Sequence, residues 1–197
     1  GAAVTVHPLA TEAAIKTFER GGNAVDAAVA TSLALCVTRP YSTGLGGGGF
    51  MMIKLVGRDP VVLDYRETAP AGCHAAAYLD GAGALVPGKS VRGPWSVGTP
   101  GLLRGLQYAL EHYGTMTWLD VSARAIELAG HGFKVDAHTH EVMQSVSTRL
   151  SESGRDPSAY PELERIFFKD GLEPYAVGEV LRQPDLAESL RRIASVK

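Results

Sequence analysis

The sequence predicts an α/β (α+β) fold, in which a helix-rich chain carries one pair of short strands. Three observations support this prediction. An apolar stretch at 24–37 has the composition of a buried helix. Two short segments, starting at 50 and 61, have strand composition and a tight connection. Apolar stripes with helical spacing follow from residue 102 onward.

Two helices are predicted at the start of the chain. Pro8 suits the first turn of a helix, because its missing N–H needs no partner there, and Gly21 marks the helix end. Asn23 is a suitable N-cap for the second helix, which Pro40 ends. The second helix is apolar on nearly every side, so we expect it to be buried. The first helix has one apolar face, formed by Ala14, Ile15 and Phe18.

A run of four glycines, Gly46–Gly49, precedes a predicted β-hairpin. The segment FMMIKLV at 50–56 is short and apolar, and we predict a buried strand there. A turn at 58–60 leads to VVLDYRE at 61–67, where the residues alternate between two faces. One face carries Val61, Leu63 and Tyr65, and the other carries Val62, Asp64 and Arg66.

Helices are predicted again after a long loop rich in Gly, Pro and Ala. Thr99 is expected to cap the first of them, with Pro100 at its first position and Gly114 at its end. A capping box at 117–120 opens the next helix. The remaining helix signals are the segment 140–146 and the stripe of Leu186, Leu190 and Ile193 that follows Pro184.

Charge and composition exclude several classes of function. The formal net charge of −2 provides no basic surface for nucleic acid or an anionic membrane. The longest apolar run, Ala27–Val37, is too short to span a bilayer. Cys36 and Cys73 are the only cysteines, and we expect no disulfide between them. A start at Gly1 without Met or a basic leader predicts a processed chain, and the end at Lys197 within a helical pattern predicts a fragment.

The glycine run contains a G-x-G-x-x-G pattern, formed by Gly44, Gly46 and Gly49. A dinucleotide site requires a strand before this pattern and a helix after it. The predicted order is the reverse, and the Gly-Lys-Ser/Thr of a Walker loop is missing. We therefore expect no nucleotide site, and we interpret the glycines as a place where two backbone segments approach closely.

Histidines and hydroxyl residues give no independent site. His138 and His140 are two residues apart on a predicted helix and point to different sides, so we do not expect them to share a metal. Ser42 and Thr43 lack a G-x-S-x-G elbow and are interpreted as hydrogen-bonding loop residues. We expect no metal and no other cofactor.

Arg66, at the end of the second predicted strand, is the candidate with ligand chemistry. Its guanidinium is always charged and suits a carboxylate through two parallel hydrogen bonds. Taken alone, the pattern favours a structural ion pair with Asp64, Glu67 or another acidic residue. Asp64 either orients Arg66 or caps the end of the strand, and the residues alone leave both roles open.

Five segments occur in an order and spacing typical of one enzyme family. They are GGNAVDAAVA at 21–30, GLGGGGFMM at 44–52, DYRETAP at 64–70, GTPG at 98–101 and YGTM at 113–116. Together they resemble the large-subunit half of the γ-glutamyltranspeptidase family. The resemblance extends over essentially the whole chain, as far as QPDLAESLRRIA at 183–194.

The resemblance implies an N-terminal nucleophile hydrolase fold, a four-layer αββα sandwich to which this chain supplies part of the core strands and a helical region. In this family a precursor cuts itself into two subunits, and the small subunit begins with a Thr that acts as nucleophile and base. The γ-glutamyl group of glutathione or a related amide moves to this Thr and then to water or an acceptor amino acid or peptide. The R-E-x-A-P position of the family, Arg66 here, implies binding of the glutamyl α-carboxylate.

The family's Thr-Thr-His segment at the cut site is missing from this sequence. Gly1 has no side chain, and the internal threonines lack a free α-amine. We therefore expect no catalytic residue in this chain, and the nucleophile is expected to come from a partner small subunit. Arg66 remains the candidate for substrate binding, and Asp64 is the candidate supporting residue beside it.

Two alternatives remain open at this point. One is a related acylase acting on glutaryl cephalosporins or poly-γ-glutamate, and the other is a non-catalytic homologue that serves as a binding module. The expected organisation is sandwich-core helices, glycine-rich loop and hairpin at 1–70, a loop at 71–98, and a mainly helical region at 99–197, truncated at its C-terminus. Many relatives are exported, so we expect a periplasmic or extracellular location, and a cytoplasmic one is also compatible.

Overall fold

The computed structural model describes residues 1–152 and 160–195. The chain forms two compact units, one of Gly1–Gly44 with Leu110–Lys197 and one of Leu45–Ala109. The helices in the described part are α1 (Pro8–Glu19), α2 (Ala24–Thr38), α3 (Leu102–Tyr113), α4 (Trp118–His131), α5 (Ala137–Glu152), α6 (Pro161–Phe167) and α7 (Pro184–Ala194). The strands are β1 (Phe50–Ile53), β2 (Val61–Asp64), β3 (Phe133–Lys134), β4 (Phe168–Lys169), β5 (Glu173–Pro174) and β6 (Val180–Leu181).

The first unit has a core of packed helices. Helix α2 packs against α1 and α4, and α4 packs against α7. As predicted, α2 is buried along most of its length, and Val29 and Leu33 have no exposed surface. Burial of each such side chain contributes roughly 1.5–3 kcal/mol. The facing helices add Ala10, Ala13, Val121, Ala125, Ala187 and Leu190 to this core.

Helix α1 begins at Pro8 as predicted, but its buried face differs from the predicted one. The buried side chains are small, namely Ala10, Ala13, Ala14 and Thr17, whereas Ile15 is 47% exposed. Small side chains let the backbones of α1 and α2 approach, and this packing turns Ile15 toward solvent. The cap is also one that the sequence did not predict, because Nδ1 of His7 accepts a hydrogen bond from the Leu9 N–H at 3.2 Å.

Capping boxes begin α2 and α4, and both confirm predicted starts. The side chain of Asn23 accepts hydrogen bonds from the first turn of α2, and Asp26 accepts one from the Asn23 N–H at 2.7 Å. Thr117 and Asp120 form the same reciprocal arrangement at α4. These contacts are local, and they satisfy N–H groups that would otherwise have no partner inside the helix.

The later part of the first unit contains elements that periodicity did not predict. Strand β3 pairs with β6, and β4 pairs with β5, both antiparallel. Each of these strands has two residues, which is too short for an alternating pattern. Helix α6 was also missed. Helix α5 contains the predicted segment 140–146 and extends it at both ends, and α7 begins at Pro184 as predicted.

In the second unit, β1 and β2 form the predicted antiparallel hairpin, with Phe50 opposite Asp64. The predicted alternation is confirmed for Leu63, which is partly buried between the exposed Val62 and Asp64, but Val61, predicted on the same face as Leu63, is exposed. The prediction of a buried strand at 50–56 is wrong for the chain as described. Strand β1 ends at Ile53, and Phe50 and Met52 are 64% and 74% exposed. Two strands alone cannot cover both faces of a sheet.

Helix α3 begins at Leu102, and the predicted cap by Thr99 is wrong. Thr99 instead pairs with Thr68 through two backbone hydrogen bonds of 2.8 and 3.2 Å. The carbonyl of Gly47 accepts hydrogen bonds from the N–H groups of Gly101 and Leu102, at 3.1 and 2.9 Å. A backbone carbonyl from the glycine run therefore takes the place of a capping side chain.

The segment 71–98 is irregular apart from two short 3₁₀ turns, Ala75–Tyr78 and Pro94–Ser96, and an isolated bridge between Leu79 and Leu85. This agrees with the predicted loop. The division of the chain into 1–70, 71–98 and 99–197 refers to the larger sandwich of the family and remains a prediction.

Candidate functional site

Backbone pairing continues beyond β1 and β2 to the residue that precedes Arg66. Gly49 and Tyr65 exchange two hydrogen bonds, of 3.3 and 3.0 Å. A Cβ atom on Gly48 would lie 2.5 Å from the carbonyl oxygen of Tyr65 and 2.9 Å from the Cα of Arg66. No side chain fits in this space, so the glycine run is a close backbone contact, as predicted.

The segment 98–105 also packs closely against Tyr65, the residue that follows β2. A Cβ atom on Gly101 would lie 2.1 Å from the carbonyl oxygen of Tyr65, and one on Gly105 would lie 2.2 Å from its ring. The ring of Tyr65 is partly buried, and this burial raises the pKa of its hydroxyl. The glycines at these positions therefore allow the start of α3 to contact the backbone next to Arg66.

Arg66 itself extends from this fixed backbone into a cavity. Its side chain is 56% exposed, and the cavity has a volume of about 520 Å³. Arg66 also lines a groove of about 460 Å³, to which Arg104 contributes as well. A guanidinium that is anchored through its backbone and open at its head can receive a carboxylate.

The two acidic neighbours of Arg66 contact it in different ways. Oε2 of Glu67 lies 3.2 Å from Nη1 of Arg66. Of the ion pairs that the sequence left open for Arg66, the structure therefore contains the one with Glu67. Asp64 acts on the backbone, where its Oδ1 accepts the Arg66 N–H at 3.0 Å. This bond stabilises the turn that ends β2. The roles of Arg66 and Asp64 toward a substrate remain predictions.

Much of the lining of the Arg66 cavity comes from the long loop, and sequence reasoning did not predict it. The loop contributes Cys73, Tyr78, Ser90, Trp95, Ser96 and Val97. The hydroxyl of Tyr78 lies 3.5 Å from Sγ of Cys73 and donates a hydrogen bond to the carbonyl of Trp95 at 3.1 Å. The unusual length of this loop was the one available signal, because long loops in compact domains are commonly functional.

The other residues considered as candidates have structural contacts. Nδ1 of His140 lies 2.7 Å from the carbonyl oxygen of Tyr175, and Ser42 contacts Arg39. Within 1–152 and 160–195, no group of three or more potential ligands could hold a metal ion. Nor does any helix in the same residues have the length and apolar character to cross a membrane.

Cys36 and Cys73 are both free. Cys36 lies inside α2, and burial raises the pKa of its thiol to about 11. It is therefore a thiol at neutral pH and unsuited to act as a nucleophile. Cys73 is partly exposed and borders the cavity that contains Arg66.

Comparison with known proteins supports the family resemblance found in the sequence. The family model described as gamma-glutamyltranspeptidase matches residues 10–197. The glutathione hydrolase proenzyme of Bacillus subtilis is 38% identical over 197 residues, which are 99% of this chain and 32% of that protein. The chain thus spans about a third of the length of the curated relatives it matches.

Solved structures show the same similarity. The γ-glutamyltranspeptidase of Helicobacter pylori superposes with a TM-score of 0.89 at 36% identity, over 99% of this chain and 54% of that one. A cephalosporin acylase from Bacillus halodurans superposes with a TM-score of 0.83 at 29% identity, over 95% of this chain and 34% of that one. These similarities confirm the predicted α+β, N-terminal nucleophile hydrolase class.

Proposed function

Because the chain belongs to the γ-glutamyltranspeptidase family, we propose that it is the large-subunit part of an enzyme that cleaves γ-glutamyl amides such as glutathione. The γ-glutamyl group is transferred to the N-terminal Thr of a small subunit from the same precursor. Water or an acceptor amino acid or peptide then releases it. The proenzyme names of the relatives support a precursor that is processed.

The observation that carries this proposal is the position of Arg66. The backbone around it is held by Gly48, Gly49 and Gly101, while its guanidinium lines a cavity of about 520 Å³. The α-carboxylate of a γ-glutamyl donor matches the planar pair of donors that this group presents. Glu67 balances the charge when the cavity holds no anion, through its contact at 3.2 Å.

The test is the variant Arg66→Ala in the complete precursor, after maturation. Loss of the hydrogen bonds between the Arg66 guanidinium and the donor carboxylate costs roughly 1.5–3 kcal/mol, so kcat/KM for γ-glutamyl anilide is expected to fall at least about 10-fold. Self-cleavage is expected to continue, because Arg66 binds the donor and not the cut site. Arg58→Ala is the matched control, since Arg58 is an exposed arginine of the hairpin loop. An unchanged kcat/KM in Arg66→Ala returns Arg66 to a structural ion pair.

Similarity to a cephalosporin acylase supports a second candidate, a related acylase. The two activities differ in the donor, because a glutaryl group lacks the α-amine of a glutamyl group but keeps a carboxylate at the position of its α-carboxylate. Parallel assays with γ-glutamyl anilide and glutaryl anilide separate the two activities by which donor is turned over faster, and turnover of either donor should depend on Arg66, because both carry the carboxylate. Poly-γ-glutamate is tested in the same assays as a third donor.

A non-catalytic homologue is the remaining alternative. Intact mass and N-terminal sequencing of every polypeptide in the purified precursor decide it. A second chain that begins with Thr supports the enzyme, and a single unprocessed species supports the binding module. We further propose export to the periplasm or outside the cell, which fractionation of the producing cells tests.

A further inference from the structure

We propose that Trp95 is the surface against which the amine part of the γ-glutamyl substrate packs, and that it makes the enzyme favour amines with an aromatic side chain. The inference rests on the proposed function and adds the substrate class. It concerns the part of the cavity lining that the loop at 71–98 supplies.

The size of the cavity is the first argument. Cavities of roughly 300–1,000 Å³ hold ligands as large as typical drugs. The cavity at Arg66 has about 520 Å³, which leaves room for more than a glutamyl group. A donor whose α-carboxylate is bound at Arg66 shares this cavity with the loop residues that line it. Tyr78 and Trp95 are the aromatic residues among them.

Trp95 is held in place although it lies in a loop. Its carbonyl accepts a hydrogen bond from the Tyr78 hydroxyl at 3.1 Å. Its neighbour Ser96 donates two hydrogen bonds to the carbonyl of Gly93, from N–H at 3.0 Å and from Oγ at 2.7 Å. Gly93 has a φ of +83°, a conformation that favours glycine. The turn that carries Trp95 is therefore fixed on both sides.

The indole ring contacts one cation but is incompletely covered. Nζ of Lys89 lies 5.3 Å from its centroid, within the range of a cation–π interaction. Trp95 nevertheless remains 45% exposed. A second aromatic ring that covers the exposed part gains buried apolar area together with the geometric preference of ring pairs. A small amine such as glycine gains neither.

The experiment compares two donors in one enzyme preparation, the matured precursor. The quantity is the ratio of kcat/KM for γ-glutamyl-phenylalanine to kcat/KM for γ-glutamyl-glycine. Trp95→Ala is expected to lower this ratio about tenfold, which corresponds to about 1.4 kcal/mol. Trp95→Phe keeps an aromatic ring, so this variant is expected to retain most of the ratio of the unmodified enzyme. Because both donors are measured on the same preparation, loss of folded enzyme cancels in the ratio.

Leu85→Ala is the matched control, since Leu85 lies in the same loop, is 71% exposed and does not line the cavity. An unchanged ratio in Trp95→Ala overturns the inference. If that variant yields no active enzyme, the ratio in Trp95→Leu decides, because leucine keeps apolar volume without a ring. If the unmodified enzyme cleaves neither donor, the proposed function fails. If it cleaves both and Trp95→Ala leaves the ratio unchanged, only the role proposed for Trp95 is refuted.

Discussion

Asp26 and Thr115 are joined by two hydrogen bonds, from the Thr115 N–H to Oδ1 at 2.9 Å and from Oγ1 to Oδ2 at 2.7 Å. Asp26 has no exposed surface, and it also accepts the N–H groups of Asn23 and Met116. Burial alone would raise its pKa, but the hydrogen bonds from Thr115, Asn23 and Met116 lower it. The segments GGNAVDAAVA and YGTM therefore form one structural cluster within the first unit.

Replacement of Asp26 by Asn is expected to destabilise the protein by roughly 3 kcal/mol. An amide keeps the shape but has one acceptor oxygen, so donors that faced the second oxygen lose their partner while buried. The measurement is urea denaturation of the complete protein. Asp59→Asn, at an exposed turn, serves as the control. A loss as small as that of the control would contradict the role assigned to Asp26.

Two positions within the glycine run are expected to respond differently to Ala. Gly48→Ala places a Cβ atom 2.5 Å from the Tyr65 carbonyl and should cost about 1–3 kcal/mol. At Gly46 a Cβ atom meets nothing within 4 Å, so Gly46→Ala should change stability by less than about 1 kcal/mol. Thermal unfolding of both variants measures the difference. Equal melting temperatures would show that the backbone contact at Gly48 can relax.

The titration of His7 is expected to make the stability of the folded protein depend on pH. Burial lowers its pKa from 6.5, Asp136 at 3.7 Å opposes this effect, and Arg39 reinforces it. The unfolded chain therefore binds the proton more readily than the folded one. Above pH 6.5 the contribution of His7 is fully present, and it is lost as the pH falls from 6.5 through the lowered pKa. Protonation also occupies Nδ1, which accepts the Leu9 N–H.

The variant His7→Asn separates titration from capping, because Asn accepts the same kind of hydrogen bond and does not titrate. Melting temperatures are measured for both proteins between about pH 7.5 and about pH 5. The unmodified protein is expected to lose more stability than the variant over this range. Parallel curves would mean that His7 does not titrate differently in the folded state.

Asp64 is expected to position Arg66 through the backbone. Loss of its hydrogen bond to the Arg66 N–H in Asp64→Ala should raise KM for a γ-glutamyl donor about 2- to 10-fold and leave kcat nearly unchanged. Asp64→Asn keeps an acceptor and should restore most of the affinity. If Asn is as harmful as Ala, the charge of Asp64 orients the guanidinium instead. The assay is steady-state kinetics of the matured enzyme.

Local signals were sufficient for the starts of α1, α2, α4 and α7. Asn23 with Asp26 and Thr117 with Asp120 begin helices through contacts within three residues, so the sequence alone predicts them. The start of α3 was mispredicted because its N–H groups bond to the carbonyl of Gly47, which is distant in the chain. A carbonyl acceptor leaves no mark in the side-chain sequence. Thr99 is a typical N-cap residue and was therefore predicted to be the cap, but it forms an extended backbone pair with Thr68.

The sequence by itself determined the family, the order of the main helices, the hairpin and the candidate Arg66, because these depend on motifs, caps and periodicity within short segments. Only the tertiary structure decided that Glu67 pairs with Arg66, that Asp64 acts on the backbone and that Trp95 faces the same cavity. These relationships depend on how an irregular loop folds back on a strand end. The conformation of a loop is determined by hydrogen bonds and close contacts between residues that are distant in the chain, and no local periodicity encodes those contacts.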